Sequence, residues 1–111
     1  MRSLPLVLIL AIALAAPTAA AARDVTVGDD YFVRPGDIPT IKVKKGTTVT
    51  WEWTGRREHN VVAQRGPTSF QSALKKSGNF SRKLRRVGTY KIVCSIHSPD
   101  MAMTLKVRRR G

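Results

Sequence analysis

Histidine and cysteine are scarce in this chain: its 111 residues hold His59, His97 and a single cysteine, Cys94. One cysteine excludes an internal disulfide, so packing or a bound group must hold the fold. Two histidines are too few for an enzyme that needs one set of imidazoles to bind a metal and another to run a catalytic one. No Ser/His/Asp pattern and no phosphate-cradling glycine loop occurs. Carboxylates are also short, seven against twenty lysines and arginines, for a formal net charge of +13. The aromatics are two Trp, two Tyr and three Phe. Several fall at core-like strand positions rather than among the basic residues, so there is no base-stacking platform and nucleic acid is not an expected partner.

The one long apolar run is N-terminal. Arg2, then Leu4 to Ala16, then small residues through Ala19-Ala20-Ala21-Ala22 read as a secretory signal peptide over residues 1–22. The run is short for a membrane span, and Pro17 interrupts the chain directly after it. No cysteine near the cleavage region could accept a lipid. Residues 23–111 then form a single domain of about 89 residues, a size at which the core is modest and a bound ligand helps. A periplasmic or secreted location follows from cleavage, with no stable membrane insertion and a monomer expected. An odd thiol in an exported protein needs a role, either pairing between chains or ligating a metal. Without Arg2, nineteen basic residues face seven acidic ones, leaving about +12. Such a charge favours acidic partners or an anionic surface and says little about fold.

Hydrophobic alternation organises the rest of the domain. Val25 and Val27 alternate with polar neighbours, Tyr31-Phe32-Val33 is stopped by Pro35-Gly36, and Ile41 and Val43 alternate with Lys42 and Lys44. Val49, Trp51 and Trp53 give the clearest period of two, closed by Gly55. Val61-Val62-Ala63 follows His59, and residues 64–78 read as a polar loop with a helical turn near Ser72 to Lys76. Phe80, Arg82 and Leu84 open a further strand, Tyr90, Ile92 and Cys94 share one face of the next, and Met103, Leu105 and Val107 continue an alternation begun at Met101. About eight strands with no long helix predict an all-β, antiparallel sandwich or barrel. The tail from Arg108 to Gly111 is expected to fray.

Cys94 and His97 stand three residues apart, and Met101 follows four residues later. A free cysteine at a strand end is often only a small buried hydrophobe, and Cys-x-x-His alone also occurs in zinc sites, which need four closed ligands. The nearby acids Glu58 and Asp100 are a thin supply for such a site. A thiolate and a thioether are soft donors that select copper, and two imidazoles with a thiolate and a distant methionine are the donors of a type 1 (blue) copper site. For the axial position Met101, where loop becomes strand, is preferred to Met103, which falls in core register. Binding needs a deprotonated thiol and neutral imidazoles, so copper affinity should weaken in acid.

The sequence resembles the small cupredoxins, plastocyanin-like and amicyanin-like proteins, over essentially the whole of 23–111. The matching stretches are Tyr31-Phe32, Ile41 to Gly46, Thr48 to Trp51, His59-Asn60-Val61, Gly78 with Phe80-Ser81, Gly88-Thr89-Tyr90 and Cys94-Ser95-Ile96-His97, in the family's order. The resemblance implies an eight-stranded Greek-key β-sandwich with one copper at one end. It places His59, Cys94 and His97 as equatorial ligands, Met101 as the axial one, and Asn60 as a partner tying the two ligand loops together. It also implies an electron exit at His97 through an apolar patch, for which Pro99 and Ala102 are nearby and Asp100 is a polar intrusion. The three residues between His97 and Met101 are one more than in the amicyanin-like loop and one fewer than in the plastocyanin-like one.

Two functions follow from that resemblance. The first is a one-electron carrier between redox proteins, its partners presenting acidic docking surfaces. The second is a copper-binding protein for resistance, storage or delivery, although no methionine-rich or histidine-rich tract supports open, exchangeable ligation. An enzyme is not expected, because both histidines are already committed.

Overall fold

A computed structural model describes residue 3 and residues 21–110; the leader expected over 1–22 lies almost wholly outside them. The strands are β1 (Ala22–Gly28), β2 (Tyr31–Phe32), β3 (Thr40–Lys44), β4 (Thr48–Trp53), β5 (Val62–Arg65), β6 (Asn79–Lys83), β7 (Gly88–Val93) and β8 (Ala102–Arg108). They form two four-stranded sheets, ordered β2-β1-β4-β6 and β3-β8-β7-β5. The molecule is the expected eight-stranded Greek-key sandwich. Its pairing is mixed rather than wholly antiparallel, since β1 runs parallel to β4 and β3 parallel to β8.

Alternation decides which side chains face inward. Val49, Trp51 and Trp53 of β4 are buried while Thr50 and Glu52 are not, and β8 buries Met103, Leu105 and Val107 while exposing Lys106. The two inner faces meet in one core, in which Trp51 packs between Phe70 and Phe80 at centroid distances of 6.0 Å each. Such tilted pairs add about 0.5–1.5 kcal/mol each beyond the area they bury. The Trp51 Nε1–H finds no acceptor among the described residues, a cost of about 1–3 kcal/mol that the ring's burial must offset. Tyr90 is fully buried, and its hydroxyl donates back to the Arg86 carbonyl at 3.1 Å, closing a corner at the start of β7.

Three local expectations are corrected. No helix occurs among the described residues, and Ser72 to Lys76 is irregular chain with a single bridge at Lys75. Gln71 bridges Val62 and Lys75 bridges His59, because this segment supplies backbone partners to the chain beside the second sheet's edge. The polar loop also begins later than expected, since β5 carries on to Arg65. The tail is anchored as far as Arg110: Arg108 completes β8 opposite Lys44, and Arg110 Nε donates to the Lys45 carbonyl at 3.2 Å.

Strand directions give the sandwich two distinct ends. At one end lie the β1–β2 turn, the β4–β5 connection and the β7–β8 loop; at the other lie the β3–β4 turn, the β6–β7 connection and the tail. Every residue of the sequence-derived site falls at the first end. Tyr90→Phe should lower unfolding free energy by about 0.5–1.5 kcal/mol, the worth of an ordinary buried hydrogen bond. Denaturant unfolding of the metal-free protein measures it.

Candidate metal centre

His59 belongs to the connection after β4, on the first sheet, yet its backbone is fixed from both sides. Its N–H donates to the Lys75 carbonyl at 3.0 Å and its carbonyl accepts from Lys75 N–H at 3.1 Å and from Trp53 Nε1–H at 3.1 Å. Two residues on, Val61 N–H donates to Ser72 Oγ at 2.9 Å. The imidazole so placed is fully buried.

Cys94 and His97 come from the other sheet, where β7 ends. Cys94 N–H donates to the Met101 carbonyl at 3.1 Å, which closes the loop on itself. Within the loop, His97 N–H donates to the Cys94 carbonyl at 3.2 Å and Met101 N–H to the His97 carbonyl at 3.0 Å. These two turns fold eight residues back on themselves and aim Cys94 and His97 at the same point. Met101 is fully buried at the base of the loop, its backbone bonded to both of them.

The donor atoms converge. His59 Nδ1 and His97 Nδ1 are 3.2 Å apart, and Cys94 Sγ is 3.5 Å from His97 Nδ1 and 3.9 Å from His59 Nδ1. Metal–nitrogen and metal–sulfur bonds of about 2.0 and 2.3 Å let two donors on one ion stand at most roughly 4.3 Å apart, so all three edges fit a single small ion. The outer ring nitrogens decide the tautomers. His59 Nε2 lies 3.0 Å from Asp29 Oδ1 and His97 Nε2 lies 3.2 Å from Asp30 Oδ1. A carboxylate only accepts, so each Nε2 carries the proton and each Nδ1 turns a lone pair inward. Two lone pairs and a sulfur facing one another repel unless a cation lies among them, and the set suits copper.

Asn60 supplies the link between the two ligand segments. Its Oδ1 accepts from Ser95 N–H at 2.8 Å and its Nδ2–H donates to Ser95 Oγ at 2.8 Å. The residue after one ligand is therefore tied twice to the residue after another.

Asp29 and Asp30 were not among the residues that the sequence singles out, and they lie thirty residues before His59. The local signal was a two-residue turn: β1 and β2 pair through Gly28 and Tyr31, so Asp29 and Asp30 form the tip, with Asp30 at φ 70° in the left-handed region that Asp tolerates. What the pattern withholds is where that tip points. Asp29 accepts from His59 and from the Arg56 and Arg57 backbone N–H groups at 2.9–3.0 Å. The His59 bond first, then those of Arg57 and Arg56, hold its carboxyl far below the usual carboxylate range. The carboxylate enters only because residue 55 is glycine, where a Cβ would overlap it.

The expected apolar patch is also revised. Ala102 starts β8 and is buried, so it takes no part in the surface. Ile96, Ile38 and Leu74 are exposed instead, one beside each of His97, the Asp30 side of the site, and Lys75, which brackets His59. His97 is the ligand nearer the surface, with 27% of its side chain accessible against none for His59.

The comparisons agree with this chemistry. A family model described as copper binding proteins, plastocyanin/azurin family, matches residues 37–108. An amicyanin variant solved in its Cu(I) form is 25% identical and superimposes with a TM-score of 0.66 over 79% of this chain and 83% of that one. A second amicyanin variant, in its oxidised state, is 28% identical with a TM-score of 0.63, covering 83% and 87%. A Cu-containing nitrite reductase from Thermus scotoductus SA-01 shares the fold at 20% identity and TM-score 0.65; 81% of this chain aligns, spanning 23% of that chain. No curated protein matches.

Gly55→Ala and Asp29→Asn disturb the same contact from opposite sides. Each should weaken copper retention about 10- to 100-fold, as loss of a ligand's orienting partner does. Competition against a chelator reads this directly, and unchanged retention in both variants would remove Asp29 from the site.

Proposed function

The chain belongs to the plastocyanin/azurin family of copper binding proteins, and from that premise we propose that it is an exported one-electron carrier between redox proteins. The observation that carries this reading is the convergence of His59 Nδ1, Cys94 Sγ and His97 Nδ1 in a corner already held by the fold. Met101 is assigned the axial position. It is buried at the foot of the loop and bonded through its backbone to both Cys94 and His97, whereas Met103 pairs with Ile92 inside the β7–β8 ladder and belongs to the core.

Copper, when bound, supplies a couple between Cu(I) and Cu(II), and a His₂Cys set with a weak thioether suits both states. The residues contribute rigidity. Asp29 and the Lys75 bridge fix His59, Asp30 orients His97, and the Asn60–Ser95 pair prevents the two ligand segments from separating. Donors that stay in place cost little reorganisation when the charge changes. His97 provides the exit: its edge is accessible, and exposed Ile96 and Pro99 beside it can exclude water against a docked partner.

The partner proposed is a redox protein with an acidic docking surface. Five of the seven acids, Asp29, Asp30, Asp37, Glu58 and Asp100, lie at the copper end, matched in number by Arg34, Arg56, Arg57, Lys75 and Lys76, of which Arg34 and Arg57 pair with Asp37 and Asp30. Steering by the domain's positive charge is thus long-range, while contact at His97 is local and apolar.

Adding Cu(II) to the purified protein should produce an intense visible thiolate-to-copper absorption that Cys94→Ser abolishes. Met101→Leu should shift that spectrum and the reduction potential more than Met103→Leu; the reverse order would end the axial assignment. Reversible voltammetry with slow copper release favours a carrier, while rapid hand-off to another apoprotein favours copper delivery. Electron transfer to an acidic redox partner should slow steeply as salt rises past the point where the screening length falls below about 10 Å, and a salt-insensitive rate would exclude such a partner.

A further inference from the structure

The end opposite the metal centre concentrates positive charge. Lys45, Lys83, Arg85, Arg86, Arg109 and Arg110 surround one open cleft of about 1060 Å³, and no carboxylate lines it among the described residues. Arg82 extends the same field along the neighbouring surface. Asp29, Asp30, Asp37, Glu58 and Asp100 are all at the other end, and Asp24 and Glu52 lie on β1 and β4.

Backbone bonds hold these like charges together against their repulsion. Gly46 N–H donates to the Leu84 carbonyl at 2.7 Å, Leu84 N–H to the Thr47 carbonyl at 2.9 Å, and Lys45 N–H to the Arg108 carbonyl at 2.7 Å. The β3–β4 turn, the β6–β7 connection and the tail therefore form one rigid basic face. A counter-anion relieves the repulsion, and six cations around so large a cleft suit several anionic groups side by side rather than one small ion. Two observations select among polyanions. No aromatic side chain lines the cleft, so bases of a nucleic acid have nothing to stack on, while Val87, 42% exposed, stands among the cations as an apolar contact.

We propose that this basic face docks on an anionic lipid bilayer, holding the domain with its metal end turned away from the membrane. The geometry is a rigid cluster of cationic side chains with exposed Val87 among them, and each cation held near an anionic lipid surface adds to the attraction. Whether the leader is retained or removed, the face keeps its charge. A carrier so held would still present His97 to partners, and the docking itself does not depend on the copper assignment.

The test measures partition of the full chain into vesicles of phosphatidylcholine alone and of phosphatidylcholine with roughly one-third phosphatidylglycerol, a content giving the negative surface potential that attracts basic segments. The ratio of the two partition coefficients cancels any contribution of the apolar run. A ratio well above one, falling with salt, is expected. The triple variant Lys83→Gln, Arg85→Gln, Arg109→Gln should reduce that ratio on the order of 100-fold, with circular dichroism unchanged. An equal charge loss on the outer face of the second sheet, Lys42→Gln, Lys91→Gln, Lys106→Gln, should reduce it far less. Equal effects of the two triples, a ratio near one for the unmodified chain, or binding to a single-stranded oligonucleotide without binding to anionic vesicles would each overturn the proposal.

Discussion

The arrangement depends on the doubled hydrogen bond between Asn60 and Ser95. His59 follows a strand of one sheet and Cys94 follows a strand of the other, so the donor set straddles the gap between two layers whose cores are apolar and cannot fix a polar site by themselves. An amide side chain that both accepts from and donates to the facing loop fixes their separation and their register. Asn60 itself is buried, at 7% exposure, while its partner Ser95 lies at the surface, so the pair closes the edge of the site. Without it, the two ligand segments would be held against each other only through their imidazoles, by the Asp29–Asp30 turn that meets both outer nitrogens.

Around that link the site is assembled from groups that work on the histidines from behind. Asp29 is itself held by two backbone N–H groups, so it presents a fixed carboxylate to His59, and the glycine at residue 55 leaves the space it occupies. Asp30, at the tip of the same turn, meets the outer nitrogen of His97. One two-residue turn therefore sets the tautomer of both imidazoles, which suits a centre whose donors must be ready in one geometry and remain in it. The charge of the domain is uneven: the copper end sets its carboxylates among arginines and lysines, while the cleft at the far end is lined by cations with no carboxylate among the described residues.

Much of this was legible in the sequence because it is local. Period-two alternation placed β4, β7 and β8 and separated Met103 from the loop, and the scarcity of histidine and cysteine left few ways to choose His59, Cys94 and His97. What could not be read was non-local or depended on pairing. The segment Ser72 to Lys76 reads as a helical turn, yet it is irregular chain whose Lys75 pairs with the backbone of His59. Asp29 and Asp30 look like an ordinary hairpin tip until the parallel pairing of β1 with β4 carries that tip to the histidine connection. Arg108 to Arg110 read as a loose tail because charge alone suggests fraying, whereas β3 offered Arg108 a partner strand. Ala102 read as surface because it neighbours the loop, but the first residue of β8 is already between the sheets.

The central claim is that three side-chain donors already stand at the separations one copper ion requires. X-ray absorption fine structure at the copper edge of the protein loaded with one equivalent of copper tests this most directly. The account predicts one sulfur and two nitrogens as the close neighbours, with those distances nearly unchanged on reduction. A copper shell of nitrogen and oxygen alone, with Cys94 reduced and the protein folded, would contradict it.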